Sequence, residues 1–426
     1  MLIFAHTSSH RLQYICKFIF TEQLNCAYSL TTHAESFVHY DGPKLNYSDT
    51  AFNDGSMQLV PHPLLFEETI AVQDTQCFEL NKKKAFFKSG PGYSFDIFAA
   101  SFYLISRYEE YLPHKKDMYG RYAHENSLAY KEGFLNIPLI NFWILDFAEQ
   151  LQQLFPSLKY HLNKFLFLPT YDIDIAWSYK NKGLLRSIGG LIKKPSLSRV
   201  VSLAGLVKDP YDSYAFMDAL HEQHALKPVY FFLLAEKNGL YDRNILPSSQ
   251  PLRELISSHA AKYETGIHPS WASNEKAALM KREKELLQEI SGKAVTKSRQ
   301  HYIKIDIPQT YHQLLDAGIA EDYSMGYGSI NGFRASVASA FYWYDLANEK
   351  VSTLLLHPFC FMDANSHYEQ KYTVAEAYDE MMNYFNQCKT AHAPFTCIFH
   401  NNFLGTARDF AGWKEMYKNF IAQVQQ

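Results

Sequence analysis

Apolar runs and amphipathic segments alternate along the chain from residue 164 to its end. The apolar runs predict strands at 164–172, 227–235, 263–268, 297–305, 331–335, 351–357 and 394–400. Apolar residues recur at a helical period between most of them, most clearly over 274–290, 308–317, 373–388 and 412–424. Because strands that alternate with helices pair in parallel, the pattern predicts an α/β fold with a closed or nearly closed barrel of about seven strands.

The chain before residue 160 has a different pattern, in which short strand-like runs are separated by turns such as Asp41-Gly42-Pro43. Two helices are predicted there, over 95–112 and roughly 137–154. We therefore expect a smaller α+β domain over residues 1–160, followed by the (β/α) barrel over residues 161–426. The sequence identifies no ligand for the N-terminal domain.

Composition narrows the functional class. The 426 residues are 47% hydrophobic and 15% aromatic, which is enough apolar material for large cores. A net charge of −3 argues against bulk electrostatic binding of nucleic acid. The six cysteines form no Cys-x-x-Cys pair and are expected to be buried free thiols. Since the start lacks signal-peptide features and no run reaches the roughly 18 apolar residues of a membrane span, we expect a cytoplasmic protein.

A basic insertion, residues 175–208, follows the first barrel strand. It contains seven Lys or Arg residues and no acidic residue, and its apolar residues recur at a loosely helical spacing. Such a segment can contact an anionic membrane surface peripherally or hold an anionic substrate. The alternative is a lid helix that packs on the barrel and exposes its lysines to solvent.

Two aspartates mark the end of the first barrel strand. Asp172 and Asp174 are two residues apart, so a strand would point both toward the same face. Two carboxylates this close repel each other, and a cation or a proton relieves the repulsion. Such pairs are typical of metal-dependent hydrolases, although either aspartate could instead cap the next helix. His268, His357 and His400 also end predicted strands, where barrels carry their active sites.

Four motifs in a fixed order resemble the polysaccharide deacetylases of carbohydrate esterase family 4, the NodB-homology group. They are Thr170-Tyr171-Asp172-Ile173-Asp174, Gly266 to Trp271, Ser298-Arg299-Gln300-His301-Tyr302, and Thr396-Cys397-Ile398-Phe399-His400. The stretch Ser106 to Leu112 is similar to a signature of bacterial members that carry an additional N-terminal domain. The resemblance implies a distorted (β/α) barrel of seven strands that removes an N-acetyl group from a sugar.

The resemblance also implies a role for each matching residue. Asp172 would be the general base toward the attacking water, and Arg299 would pair with it. Asp174 and His268 would be ligands of a divalent metal, Zn²⁺ or a similar ion. His400 would protonate the leaving amine.

The metal site departs from the family pattern at one ligand. The family has a second histidine four residues after the first, and here that position is Ala272. His301 is our candidate for the missing ligand, with Ser273 and Asn274 as weaker options. The place of the family's fourth motif, 322–327, shows no clear match.

The assignment of the acid has two alternatives. Leu355-Leu356-His357 matches the family's Leu-x-His motif literally but lies one strand too early. His400 ends the final predicted strand, where the family has its acid. We follow chain order and assign His400.

Four further residues are predicted to contact the substrate: Trp271, Tyr302, Arg334 and Asn401. Trp271 could stack on a sugar face or pack in the core, and the backbone beside Tyr302 would face the developing oxyanion. Arg334 ends a predicted strand and could bind a substrate anion or form a structural ion pair. Asn401 follows the proposed acid.

Three functions remain open from the sequence. The first is metal-dependent hydrolysis of a carbon–nitrogen, non-peptide bond, as N-deacetylation of a sugar in a glycan or glycan precursor. The basic insertion would suit a lipid-linked or nucleotide-linked saccharide. The second is a catalytically inactive barrel that binds glycans as an assembly scaffold, which the missing histidine favours. The third is a cyclic amide or phosphoester hydrolase that uses the same metal.

Overall fold

The N-terminal part of the chain carries a small parallel sheet. The computed structural model describes residues 1–90, 92–182 and 197–424. Its first four strands pair in parallel in the order β2-β1-β3-β4: β1 (Leu2–Phe4), β2 (Ser29–Thr31), β3 (Lys44–Asn46) and β4 (Met57–Gln58). Strands β5 (Phe78–Leu80) and β6 (Lys83–Ala85) form an antiparallel hairpin. This part therefore combines a small parallel sheet with an antiparallel hairpin.

Five α-helices accompany these strands: α1 (His10–Cys16), α2 (Ala34–Val38), α3 (Ile97–Ile105), α4 (Leu128–Lys131) and α5 (Leu139–Leu154). Helix α3 is buried along its whole length. Its first turn is capped by Asp96, which accepts hydrogen bonds from the N–H groups of Phe98 and Ala99. The two helices that the sequence predicts in this part are confirmed as α3 and α5.

The C-terminal part carries a second, larger sheet. Its strands are β7 (Phe167–Ile173), β8 (Val229–Leu233), β9 (Glu264–His268), β10 (Lys297–Ser298), β11 (Glu321–Met325), β12 (Phe341–Asp345), β13 (Lys350–Pro358), β14 (Phe361–Met362) and β15 (Phe395–His400). Their order is β12-β13-β11-β10-β9-β8-β7-β15-β14, and all neighbours are parallel except β12 and β13. Within the described residues the two edge strands do not pair, so the sheet is open.

Helices connect most of these strands. They are α6 (Leu197–Leu203), α7 (Tyr214–His224), α8 (Gln250–Lys262), α9 (Ala277–Ser291), α10 (Gln309–Asp316), α11 (Val374–Thr390) and α12 (Trp413–Val424). Helix α11 begins with a capping box, in which Thr373 and Glu376 each accept a hydrogen bond from the other's backbone N–H. The four helices that the sequence predicts most clearly are confirmed as α9, α10, α11 and α12.

A strand is observed within six of the seven predicted ranges, although in 297–305 only Lys297–Ser298 is a strand and His301–Ile303 is a short 3₁₀ helix. The predicted strand 331–335 is wrong: Gly332 and Ser336 have positive φ angles of 140° and 52°, and this segment is a loop. Strands β11, β12 and β14 were not predicted, so the observed sheet has nine strands in the described ranges. Strand β11 has no apolar run in the sequence because it contains the polar residues Asp322 and Ser324. Both are fully buried, and the Ser324 hydroxyl donates a hydrogen bond to Asp322.

The sheet curls, so that side chains from distant strands meet. In a flat sheet, β8 and β11 would lie about 14 Å apart, which is three strand spacings. The rings of Phe231 and Tyr323, one from each strand, have centroids 5.3 Å apart. Arg299, which directly follows β10, donates a hydrogen bond of 2.8 Å to Asp172 on β7, again three strands away. Curling therefore brings the carboxyl ends of the strands together.

A buried ion-pair network joins the N-terminal part to the loop between β11 and β12. Glu110 accepts hydrogen bonds from Arg107 Nε at 2.7 Å and from Arg334 Nε and Nη2 at 2.9 and 2.6 Å. Burial opposes ionisation of Glu110, but the charges of Arg334 and Arg107 outweigh it and lower the pKa of Glu110 to about 2. Arg334, predicted to contact a substrate anion, is instead held inside this network because its guanidinium is fully buried beside Glu110.

The structure also bears on the basic insertion, on membrane-spanning helices and on the cysteines. Residues 183–196 of the basic insertion lie outside the described residues. None of the helices in the described ranges combines the length and apolar character that a membrane crossing requires. All six cysteines are free, and all except Cys77 are buried, as the sequence predicts.

We expect Glu110→Gln to lower the free energy of unfolding by about 3–5 kcal/mol, because it leaves the buried guanidinium of Arg334 without a carboxylate, whereas Arg107 keeps Glu109. Glu236→Gln is the matched control, since Glu236 pairs with Arg282 on the surface, where side-chain exposures are 37% and 62%. That change should cost less than about 1 kcal/mol. Urea unfolding of both variants measures the difference, and equal losses would contradict the proposed importance of the network.

Candidate active site

A cavity of about 520 Å³ opens at the carboxyl ends of β7, β9 and β15. Six polar or aromatic residues that line it come from the predicted site: Asp172, Asp174, His268, His301, Tyr302 and His400. Residues from the N-terminal part, Tyr119 and Arg121, line it as well. The motifs that the sequence analysis singled out therefore meet in one place.

Asp172 lies at the base of this cavity beside a buried guanidinium. Arg299 is fully buried and donates Nη1–H to Asp172 Oδ1 at 2.8 Å and Nε–H to the carbonyl oxygen of Tyr323 at 3.0 Å. Its guanidinium also lies over the ring of Phe231, 4.4 Å from the centroid. The permanent charge of Arg299 compensates the burial of the carboxylate and fixes its orientation.

Asp174 faces three imidazole rings. Its Oδ1 lies 3.2 Å from His268 Nε2, and its Oδ2 lies 3.5 Å from His301 Nε2 and 3.7 Å from His400 Nε2. His268 Nδ1 is 2.5 Å from the carbonyl oxygen of Arg299. A carbonyl oxygen only accepts, so Nδ1–H donates to it, and Nε2 is directed at Asp174 in the cavity.

The donor set of Asp174, His268 and His301 fits a divalent metal ion. Their ligand atoms lie within 4.8 Å of one another, and they comprise one carboxylate oxygen and two imidazole nitrogens. Asp174 Oδ1 is buried and makes no hydrogen bond with any described residue, because its approach of 3.2 Å to His268 Nε2 does not have the geometry of one. A buried carboxylate oxygen without a partner is costly, and an ion at this position would satisfy it.

The charges of these groups are strongly coupled. Burial favours the neutral form of Asp174, but the charge of His301 outweighs it and holds the pKa of Asp174 well below its usual range. Burial likewise lowers the pKa of His301, yet the negative charge of Asp174 and the hydrogen bond to Asp242 raise it to about 9. Without an ion, a proton on His301 therefore balances the Asp174 carboxylate.

Asp242 was not predicted from the sequence. Its Oδ1 accepts a hydrogen bond of 2.9 Å from His301 Nδ1, which leaves His301 Nε2 directed at Asp174. Asp242 also accepts the backbone N–H groups of Trp271 and Ala272, at 2.8 and 3.2 Å. It thus orients the imidazole as carboxylates behind metal-binding histidines commonly do. Asp242 lies in the loop after β8, where no motif in the sequence marks it.

Asp363 is a second carboxylate that the sequence analysis missed. Its Oδ1 lies 2.6 Å from His400 Nδ1, and its Oδ2 accepts the His400 backbone N–H at 2.7 Å. Burial lowers the pKa of His400, but the charge of Asp363 outweighs it and raises that pKa to about 10. The apolar run that ends at Met362, directly before Asp363, is the signal that could have identified it.

Three other residues of the sequence analysis lie outside the cavity lining. His357, the alternative acid, stacks on Tyr323 at a centroid distance of 4.2 Å and pairs with Glu321. Asn401 donates to the carbonyl oxygens of Ile175 and Tyr211 and so supports the loops beneath the site. Trp271 stacks behind Tyr241, which itself lines the cavity, at 4.1 Å. Of the two candidate acids, His400 lines the cavity and His357 does not.

Comparisons with known proteins find one family model similar to the N-terminal part and several distant structural neighbours. Residues 1–156 match DUF7033, a family of unknown function. No curated protein matches the chain. A solved structure assigned as a polysaccharide deacetylase from Mycobacterium smegmatis is 14% identical, covering 62% of this chain and 84% of its own, with a TM-score of 0.41. One from Pseudomonas aeruginosa is 11% identical, covering 61% and 85%, with a TM-score of 0.40.

A polysaccharide deacetylase from Bacillus cereus is 11% identical, covering 62% of this chain and 89% of its own, with a TM-score of 0.32. Similarity at these identities does not assign a function to this chain.

We expect Zn²⁺ binding to release close to one proton per ion between about pH 6 and pH 8, because His301, whose pKa is raised to about 9, must lose its proton to become a ligand. The Kd should therefore fall by up to about tenfold for each pH unit in this range. Isothermal titration calorimetry in two buffers of different ionisation enthalpy measures the released protons. His301→Ala should lose the proton release, and a pH-independent Kd for the unaltered protein would contradict the role of His301.

Proposed function

We propose that this protein is a metal-dependent hydrolase of a carbon–nitrogen, non-peptide bond that removes the N-acetyl group of a sugar. The observation that carries the proposal is the convergence on one cavity of three candidate metal ligands, a carboxylate paired with Arg299, and an imidazole paired with Asp363. A divalent ion held by Asp174, His268 and His301, with Zn²⁺ suited to these ligands, would supply Lewis acidity toward the carbonyl oxygen and the attacking water.

Asp172 is suited to be the general base. Its Oδ1 is occupied by Arg299, while its Oδ2 faces the cavity and lies 3.8 Å from His268 Nε2. A water molecule that attacks the acetamide carbonyl carbon would transfer a proton to this free oxygen. The ion pair with Arg299 keeps the carboxylate in one orientation throughout the reaction.

His400 is suited to be the general acid. Its Nδ1 is held by Asp363, so Nε2–H points at the cavity and can donate its proton to the departing nitrogen. The carbon–nitrogen bond then breaks to give a free amine on the sugar and acetate. The two proton-transfer groups, Asp172 and His400, stand on adjacent parallel strands and are direct register partners.

The backbone beside His301 supplies a candidate oxyanion donor. Tyr302 has a left-handed backbone, with φ of 59°, and its N–H makes no hydrogen bond within the described residues. A non-glycine residue in this region carries strain that persists only when its surroundings enforce it. A free N–H at the cavity would stabilise the negative charge that develops on the carbonyl oxygen.

The replacement of the family histidine by Ala272 favours the alternative of an inactive, glycan-binding scaffold, unless another ligand takes its place. His301 supports the hydrolase, because its Nε2 is oriented by Asp242 toward Asp174. The two functions differ in a measurable property, since the scaffold needs no metal.

Purified without chelator, the protein should hold close to one divalent ion per chain, measured by mass spectrometry of the metal content. Asp174→Ala should lose the ion. Asp172→Asn should keep it and lower the rate of acetate release from N-acetylated oligosaccharides by about 10²–10⁴-fold, because only the proton acceptor is removed. If no ion binds even with excess Zn²⁺, and the variants remain folded, the scaffold is the better explanation.

Asp363→Asn should move the high-pH limb of the rate profile to lower pH. The general acid must be protonated, and the negative charge of Asp363 holds the pKa of His400 at about 10. An asparagine removes this charge and keeps one oxygen that can accept the His400 Nδ1–H, while the backbone N–H of His400 loses its acceptor. The pH dependence of kcat tests this expectation, and a lower rate with an unchanged limb would assign Asp363 a purely structural role.

A further inference from the structure

Three half-buried tyrosines line one wall of the cavity: Tyr119, Tyr241 and Tyr302, called here the tyrosine cluster. The ring centroid of Tyr302 is 5.4 Å from that of Tyr119 and 5.5 Å from that of Tyr241, and the latter two are 6.0 Å apart. Tyr302 also contacts the ring of His301 at 4.7 Å. The cluster therefore begins beside the candidate metal ligands and extends away from them.

The tyrosine cluster presents both apolar and polar groups to the cavity. Its hydroxyl groups make no hydrogen bond with any described residue, and none of them is a buried atom without a partner. Partly exposed aromatic rings with free hydroxyls match a ligand that has an apolar C–H face and hydroxyl edges. A sugar ring has this combination.

Tyr119 comes from the N-terminal part of the chain and is held at the cavity by its neighbour. Arg121 lies over the Tyr119 ring, 4.7 Å from its centroid, and is paired with Asp117 at 2.7 Å. Arg121 Nη1 donates a hydrogen bond of 2.6 Å to the carbonyl oxygen of Tyr302. A Cβ atom at Gly328 would overlap both Arg121 Nη1 and this carbonyl oxygen, so glycine is needed there. The contact fixes Tyr119 and the left-handed Tyr302 relative to each other.

The cavity is larger than one acetamido group needs. Its volume of about 520 Å³ lies within the range of roughly 300–1,000 Å³ that is usual for sites that enclose a drug-sized ligand. Tyr119 and Tyr241 make no ring contact with His268, His301 or His400, whereas Tyr302 contacts His301. A ligand that extended from the candidate metal ligands to all three tyrosines would be longer than the single sugar unit that reacts.

We infer that the tyrosine cluster is a binding subsite for a second sugar unit, next to the unit whose N-acetyl group is removed. The inference rests on the proposed function for the identity of the reacting unit. It makes the substrate a saccharide of at least two units and gives the N-terminal part a direct role in selecting it, through Tyr119.

Binding to the chelated, metal-free full chain tests the subsite apart from catalysis. The probes are N-acetylglucosamine and its β-1,4-linked, doubly acetylated dimer, titrated by calorimetry. The unaltered protein should bind the dimer about tenfold more tightly than the monomer. Tyr119→Ala and Tyr241→Ala should each weaken dimer binding by about threefold to tenfold, because a stacking face is lost, and should leave monomer binding unchanged.

Two controls separate the subsite from general effects. Tyr119→Phe keeps the ring and should retain most of the dimer affinity, whereas Tyr40→Ala, a half-exposed tyrosine outside the cavity lining, should change neither probe. Equal affinity for both probes, equal weakening of both by the cluster variants, or no binding of either probe would overturn the inference. Dimer selectivity that depends on Tyr119, in a protein that releases no acetate when metal is supplied, would support the subsite and refute only the proposed hydrolysis.

Discussion

The curl of the parallel sheet is the constraint on which the rest of the structure depends. A flat sheet would keep Asp172 and Arg299 three strands apart, yet the two side chains share a hydrogen bond of 2.8 Å. The same curvature directs Asp174, His268 and His400 into one volume, because they follow or end β7, β9 and β15 at the carboxyl ends of these strands. The side chains of the cavity can act together only because the sheet is curved.

Buried charge is handled in two ways in this molecule. Some buried carboxylates have a cation fixed beside them: Arg299 beside Asp172, Arg334 beside Glu110, and His400 beside Asp363. Others, such as Asp96, are held by hydrogen bonds from hydroxyl and backbone N–H groups. Among the described residues Asp174 has no permanent cation beside it, one of its oxygens is buried without a hydrogen bond, and its charge is balanced only by imidazoles that can lose their protons. A charge left in this condition distinguishes a site that accepts a ligand from pairs that only hold the fold.

Much of the fold and part of the site could be predicted from the sequence. Long helices and apolar strands could be predicted because their buried residues recur at a regular spacing in the sequence. Residues from all the ordered motifs also line one cavity. Strand β11 was missed because Asp322 and Ser324, on the face opposite the Tyr323 ring, are polar residues whose partners are provided only by the folded chain. Asp242 and Tyr119 carry no local signal, since their importance arises from contacts made far along the chain. Arg334 ends in an ion pair whose partner lies 224 residues away.

The close approach at Gly328 has a consequence for how this protein can change. Arg121 reaches the Tyr302 carbonyl through space that any side chain at position 328 would fill. Replacing Arg121 by a smaller residue would remove one of the two overlaps, but a Cβ atom at position 328 would still lie 2.7 Å from the carbonyl oxygen of Tyr302. Glycine is therefore expected to persist at position 328 whichever residue stands at 121, whereas Arg121 can change without a change at 328. The dependence between these two positions, far apart in the chain, runs in one direction only.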